Sequence, residues 1–440
     1  MPGTIKKSLF TSISLIALSI TLLGTYNTIE AADWPQWRGP NRDGTWNEKG
    51  ILKKFTTEQL PIRWRAKISN GYSGPTVAEG RVYVTDRLTS PEQVERILCF
   101  DAMTGKPLWS YSYECEYKNV GYPNGPRAAV TINDNRAYSL GTMGHLCCFD
   151  AATGNLSWKK DCAAEYKAKI PTWGIAASPL VEADLVIVQI GGADNACLVA
   201  FDKAAGTEKW RAINDSASYS TPIIIEQAGR PVLVCWTGWM VVGINPGTGK
   251  LYWQHSYAQP HTVQNIADPV FNNNYLFVSS FFDGSLMLKI NPDRLSVEKL
   301  WQRKGPSETQ TDSLHCCIST PLLLGDYIYG VDSYGELRCL DINTGDRIWE
   351  SLEAVPKNRW ANIHMVQHED KIWMFNESGE LIICKLSPQG FHEISRTRLI
   401  KPTKGQLNRG VCWSHPAFAY RHVYIRNDEE LICADLSEKE

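Results

Sequence analysis

Residues 148–158 read Cys148-Phe149-Asp150-Ala151-Ala152-Thr153-Gly154-Asn155-Leu156-Ser157-Trp158, and this stretch decides the fold. A small residue is followed two places later by Asp, then by Thr-Gly, then by Trp eight places after the Asp. The same spacing occurs at Cys99, Asp101, Thr104, Gly105 and Trp109; at Ala200, Asp202, Gly206 and Trp210; at Gly243, Asn245, Thr248, Gly249 and Trp253; and at Cys339, Asp341, Thr344, Gly345 and Trp349. A longer copy runs from Asn291 to Trp301, and a degenerate one carries Cys384, Leu386, Gly390 and Ile394. An eighth is split, with Cys433, Ala434 and Asp435 near the C-terminus and its tryptophan supplied by Trp64. A repeat of 40 to 50 residues built from short alternating strands is the sequence signature of propeller blades.

Each copy has a local physical reading. A Pro (Pro75, Pro126, Pro179, Pro222, Pro269, Pro321, Pro416) opens an inner strand, and a β-branched and aromatic run such as Tyr275-Leu276-Phe277-Val278 follows it. Asp with Thr-Gly predicts a tight turn in which Gly takes positive φ and the carboxylate accepts nearby backbone N–H groups. Trp64, Trp109, Trp158, Trp210, Trp253, Trp301 and Trp349 are then the docking residues, each ring large enough to cover a neighbouring turn. The expected fold is all-β: an eight-bladed propeller of four-stranded antiparallel blades, closed because the N-terminal strand joins the last blade and removes the free edge.

The remaining composition narrows the function classes. Of 440 residues, 45 are Lys or Arg and 47 Asp or Glu, so no net field favours nucleic acid. Lys6 and Lys7 precede an apolar run, Leu9 to Leu23, with small residues after it, which is the layout of a secretory leader. The expected organisation is a signal peptide over 1–31, an extension over 32–61 and a single propeller over 62–440, giving an exported chain, periplasmic or secreted, with no transmembrane segment after cleavage. Removing Lys6, Lys7 and Glu30 moves the formal charge from −2 to −3. Thr25 stands where a lipoprotein would carry its Cys. Of the 13 cysteines, Cys99, Cys148, Cys339, Cys384 and Cys433 hold equivalent repeat slots a whole sheet apart, too far to bridge, and read as small buried apolar groups.

The repeat resembles the tryptophan-docking motif of pyrroloquinoline quinone (PQQ) propellers, the quinoprotein alcohol dehydrogenase-like fold, across roughly residues 62–436. Three segments are similar to exported PQQ-repeat proteins related to the outer-membrane assembly factor BamB: residues 33–40 (Asp33-Trp34-Pro35-Gln36-Trp37-Arg38-Gly39-Pro40), 173–179 (Trp173-Gly174-Ile175-Ala176-Ala177-Ser178-Pro179) and 426–428 (Arg426-Asn427-Asp428). That resemblance implies a non-catalytic scaffold for a protein partner in the cell envelope, taken here to be a monomer. Its alternative implication is a PQQ- and Ca²⁺-dependent dehydrogenase.

Residues just before each inner strand are expected to converge on one mouth of the ring. The candidates are Arg127, Trp173, Asn265, Asp268, His315, Arg359, Trp360, His364, Arg409 and Trp413, with Tyr72, Tyr219 and His415 beside them. Arg forks and Trp faces in one funnel suit a planar anion, and a third reading is carbohydrate or polyanion binding there. Carboxylates at the mouth are few for Ca²⁺, so no metal site and no catalytic residue is assigned, and PQQ and Ca²⁺ enter through the resemblance alone. His364 and His368 have no third ligand near them in sequence, and Cys147-Cys148 and Cys316-Cys317 are adjacent pairs of open oxidation state.

Overall fold

The first blade is made of strands Thr76–Ala78, Arg81–Leu88, Val94–Asp101 and Pro107–Glu114, hydrogen-bonded in chain order. Six further sheets repeat this plan, with innermost strands at Thr131–Asn133, Leu180–Glu182, Ile223–Gln227, Val270–Asn272, Leu322–Leu324 and Ile363–His368. The eighth sheet joins Ala417–Ala419, His422–Arg426 and Glu430–Asp435 to the N-terminal strand Ile62–Lys67. Its pairing is antiparallel, with Trp64 opposite Cys433. The eight-bladed ring and its closure by strands from both chain ends are therefore as the repeat predicts. The computed structural model describes Met1, Gly3 and residues 32–257, 262–403 and 409–438. Residues Ala31–Glu440 cluster as one unit, whereas the predicted leader falls, apart from Met1 and Gly3, outside the described residues. Among the described residues one four-residue helix, Cys162–Glu165, interrupts the β pattern, and no helix is long and apolar enough to cross a membrane.

The turn chemistry follows from the motif. Asp101 Oδ1 accepts from the backbone N–H of Met103 and Thr104 and from the Thr104 hydroxyl, at 2.7–3.1 Å. Gly105 closes the turn at φ +68°, where a Cβ would sit 2.5 Å from the Trp64 ring. Trp64 Nε1 also donates to Ala102 O at 2.9 Å, so the ring of one blade caps the turn of the next. Trp109, Trp158, Trp210 and Trp301 repeat the arrangement on Ala151, Lys203, Pro246 and Ile342 carbonyls.

The small residue that opens each motif also gains a cause. Cys99, Cys148, Ala200, Gly243 and Cys339 sit directly opposite Trp109, Trp158, Trp210, Trp253 and Trp349 across the ladder, each just before a register shift. The Trp ring leans over this position, and a Cβ on Gly243 would overlap Trp253. Two tryptophans depart from the pattern. Trp253 donates to Gln227 Oε1 inside its own blade, because the lengthened fifth turn is gathered by Gln227 Nε2 on the carbonyls of Asn291, Arg294 and Ser296. Trp349 docks on Ser387 O of the degenerate seventh copy.

The extension is laid across the ring. Trp34 bridges to Val77, Pro35 O accepts from Ile132 N, Arg42 donates to Pro179 O, Trp46 N donates to Gln367 O, and Glu48 accepts from Arg421 N. Trp34 and Trp46 are among the largest fully buried side chains and join the core that fills the first, seventh and eighth blades.

Candidate functional site

The segments before the inner strands converge on an open cavity. Its wall is mainly aromatic: Tyr72, Tyr122, Trp173, Tyr219, Trp360 and Trp413, with Trp37 reaching in from the extension. Of the predicted residues, Arg127, Trp173, Asp268, Trp360, His364 and Trp413 line this cavity, and Tyr72, Tyr219 and His415 do so too. Tyr72 stacks on Trp413 with centroids 6.3 Å apart, and Tyr122 meets Trp413 and Trp360 edge-on at 6.1 and 5.8 Å.

Four predicted funnel residues do not line it. Asn265 is fully buried and its amide donates to Thr237 O at 2.8 Å. His315 is also fully buried, its Nδ1 donating to Phe281 O while Nε2 accepts from Gly305 N, which makes it a neutral strut between loops. Arg359 forms a fork on Glu308 at 2.6–2.7 Å and lies over Trp360. Arg409 forms a fork on Glu377 and donates to Arg359 O. The reason is the same in each case. A partner remote in sequence, 32 to 51 residues away for the two arginines, satisfies the polar group before it reaches the lumen.

The electrostatics follow from these pairings. Arg127 spends its donors on the carbonyls of Gly121, Tyr122 and Gly125, and burial lowers its pKa from the usual arginine value. Asp268 accepts from Trp37 Nε1 and from Thr221 N at 2.7 Å, and burial pushes its carboxyl upward. His364 Nε2 donates to Trp413 O at 2.9 Å, and desolvation pushes its pKa down to about 4. His415 Nδ1 faces Pro416 O at 3.3 Å, and burial followed by the neighbouring His364 pushes it down to about 3. Both imidazoles are therefore neutral near pH 7. The wall thus combines ring faces with neutral hydrogen-bonding atoms, and its charged groups, Arg127 and Asp268, are hydrogen-bonded within the protein. Buried Trp360 Nε1, Gln264 Oε1 and His415 Nε2 lack a protein partner among the described residues.

A family model described as outer membrane protein assembly factor BamB matches residues 93–351. The chain belongs to that family. Among solved structures, this BamB-family propeller is similar to BamB from Moraxella catarrhalis, at TM-score 0.58 and 16% identity, covering 85% of this chain and 99% of that one. It is also similar to the quinohemoprotein alcohol dehydrogenase ADHIIG from Pseudomonas putida HK5, at TM-score 0.56 and 12% identity, covering 93% and 81%. A third match is the computationally designed Ika8 protein, at TM-score 0.54 and 11% identity, covering 86% and 99%. These likenesses establish the propeller fold and no more. No curated protein sequence matches the chain.

PQQ is a planar tricarboxylate used with a hard cation, so its site needs free cationic donors and several oxygen ligands. The residues present do not fit it. The Arg127, Arg359 and Arg409 guanidiniums are engaged within the protein. The Glu377 oxygens are held by Arg409 and Trp413 Nε1. No cluster of three His, Cys, Asp or Glu able to hold a metal occurs among the described residues. His364 and His368 do not converge either, since His368 Nδ1 donates to Trp46 O. All 13 cysteines are free and buried, Cys316 and Cys317 included; burial pushes the Cys317 thiol, which lines the cavity, up to about 12.

Sequence reasoning missed Trp37 and Tyr122 as wall residues. Trp37 belongs to the segment that resembles other exported propellers, and its position in a stretch without strand periodicity was the available signal. Tyr122 precedes its inner strand by nine residues and carries none.

Proposed function

We propose that this protein is a non-catalytic envelope scaffold whose aromatic mouth docks an uncharged group of its ligand or partner. The observation that carries this reading is that the charged groups lining the mouth, Arg127 and Asp268, are hydrogen-bonded within the protein. Ring faces make up much of what the lining residues offer a ligand. The sequence supports a leader over 1–31 that directs export and an extension over 32–61 ahead of a single ring over 62–440. Membership of the BamB family favours a protein partner in the envelope, with the chain acting as a monomer.

Two measurements test the reading. Calorimetric titration of the purified chain with PQQ in the presence of Ca²⁺ is expected to show no saturable binding and no PQQ-dependent dye reduction; tight binding with turnover would return the chain to the dehydrogenases. A photo-crosslinking residue placed at Tyr122 is expected to capture a ligand or envelope protein, and to lose it when Trp413→Ala is added. The aromatic wall also favours a second reading, neutral carbohydrate stacked on Trp173 or Trp413, over a polyanion. Glycan binding that is unchanged in Trp413→Ala would remove that reading.

A further inference from the structure

A second cavity shares no lining residue with the aromatic one. Arg38, Asn41, Arg42, Asp43 and Thr45 of the extension form one side, and the innermost strands of the fourth, fifth and sixth blades form the other. Arg38 and Arg42 are only 9% and 7% exposed, and neither forms an ion pair among the described residues. Arg38 Nη2 donates to Asp43 O at 2.8 Å, while its Nε and Nη1 have no partner. Arg42 donates through Nε to Gln36 Oε1 and through Nη2 to Pro179 O, and its Nη1 is unpartnered.

Buried guanidiniums are ordinarily satisfied, and this molecule supplies its own contrast. Arg426, at 0% exposure, also lacks a carboxylate partner, yet its three nitrogens donate to the carbonyls of Asn427, Thr85 and Ser69. That is a structural arginine with every nitrogen engaged. Arg38 and Arg42 both line the cavity, and between them three buried N–H nitrogens have no protein partner among the described residues. Asp268 is the buried carboxylate whose charge acts on both, but its oxygens take Trp37 and Thr221 N–H bonds. Asp43 is exposed and accepts from Thr45 N.

We propose that this cavity binds an oxyanion, a carboxylate or phosphate group, with Arg38 and Arg42 as its ligands. Two guanidiniums offering N–H donors match the planar or tetrahedral oxygens of such groups. Ile223, Val270 and Leu322 line the same space and would carry the apolar body of an organic acid. Inorganic phosphate would use the arginine end alone.

The test is calorimetric titration of the wild-type chain, at constant ionic strength, with inorganic phosphate and separately with hexanoate. Saturable binding of at least one probe is expected, weakened roughly tenfold or more in Arg42→Gln and unchanged in Trp413→Ala, as for loss of one charge-assisted contact. Binding of phosphate alone assigns an inorganic or phosphate-headed ligand, and binding of hexanoate alone an organic acid. No binding of either probe at millimolar concentration overturns the proposal, as does binding that Arg42→Gln leaves intact. Should that variant not fold, phenylglyoxal labelling of the wild-type chain decides: the bound probe is expected to protect Arg38 and Arg42, and equal labelling with and without it overturns the proposal.

Discussion

Replacing Gly105 by Ala tests the blade-docking geometry with a built-in reference. Gly105 sits at φ +68° with the Trp64 ring 2.5 Å from where a Cβ would stand. Gly80 has nearly the same backbone, φ +73°, and nothing within 4 Å of its would-be Cβ. Gly80→Ala therefore reports the left-handed backbone cost alone, about 1–2 kcal/mol. Gly105→Ala adds displacement of a Trp ring whose Nε1 is bonded to Ala102 O at 2.9 Å, an overpacking cost of about 1–3 kcal/mol. The sum, about 2–5 kcal/mol, falls at the contact between the eighth and first blades. Urea unfolding followed by tryptophan fluorescence gives both values from the midpoints. Equal destabilisation by the two substitutions would mean that Trp64 does not press on this turn, and the docking account would fail with it.

Other outcomes follow from the same packing. Arg426→Met should cost roughly 3–5 kcal/mol by urea denaturation, because the Asn427 and Ser69 carbonyls lose the donor it supplies and Thr85 O keeps only the Ser73 hydroxyl. His364 and His415 are neutral in the fold, whereas the unfolded chain protonates each near pH 6.5. The unfolded state thus binds more protons, so stability is flat above pH 6.5, falls as pH drops from 6.5 to about 4 for His364 and to about 3 for His415, and levels off below, by about 3 and 5 kcal/mol respectively at the limit. A His415→Gln variant should flatten part of that slope in urea midpoints taken at several pH values. The 13 buried thiols should release no thionitrobenzoate from Ellman's reagent in the native state and all 13 in denaturant; rapid native reaction at more than Cys317 would contradict their burial.

The parts legible in the sequence are those with local causes. Asp101, Thr104 and Gly105 carry their turn within five residues, and the split copy at Cys433 and Trp64 foretold the closing pair. The mouth was only partly legible. Tyr72, Trp173, Tyr219, Trp360 and Trp413 precede inner strands and were found, Trp37 and Tyr122 were not, and Arg359 and Arg409 are withdrawn by Glu308 and Glu377, which no short-range spacing links to them. The extension was not legible as a structural part. It has no strand period, and its order comes from single contacts with many inner strands, such as Trp34 with Val77 and Trp46 with Gln367.

The sharing of the eighth sheet between Ile62–Lys67 and Glu430–Asp435 has a temporal side. During synthesis the strand Ile62–Lys67 has no neighbour to pair with until Glu430–Asp435 has been added. A chain cut short before Glu430 leaves that strand without its ladder and the eighth blade unfinished.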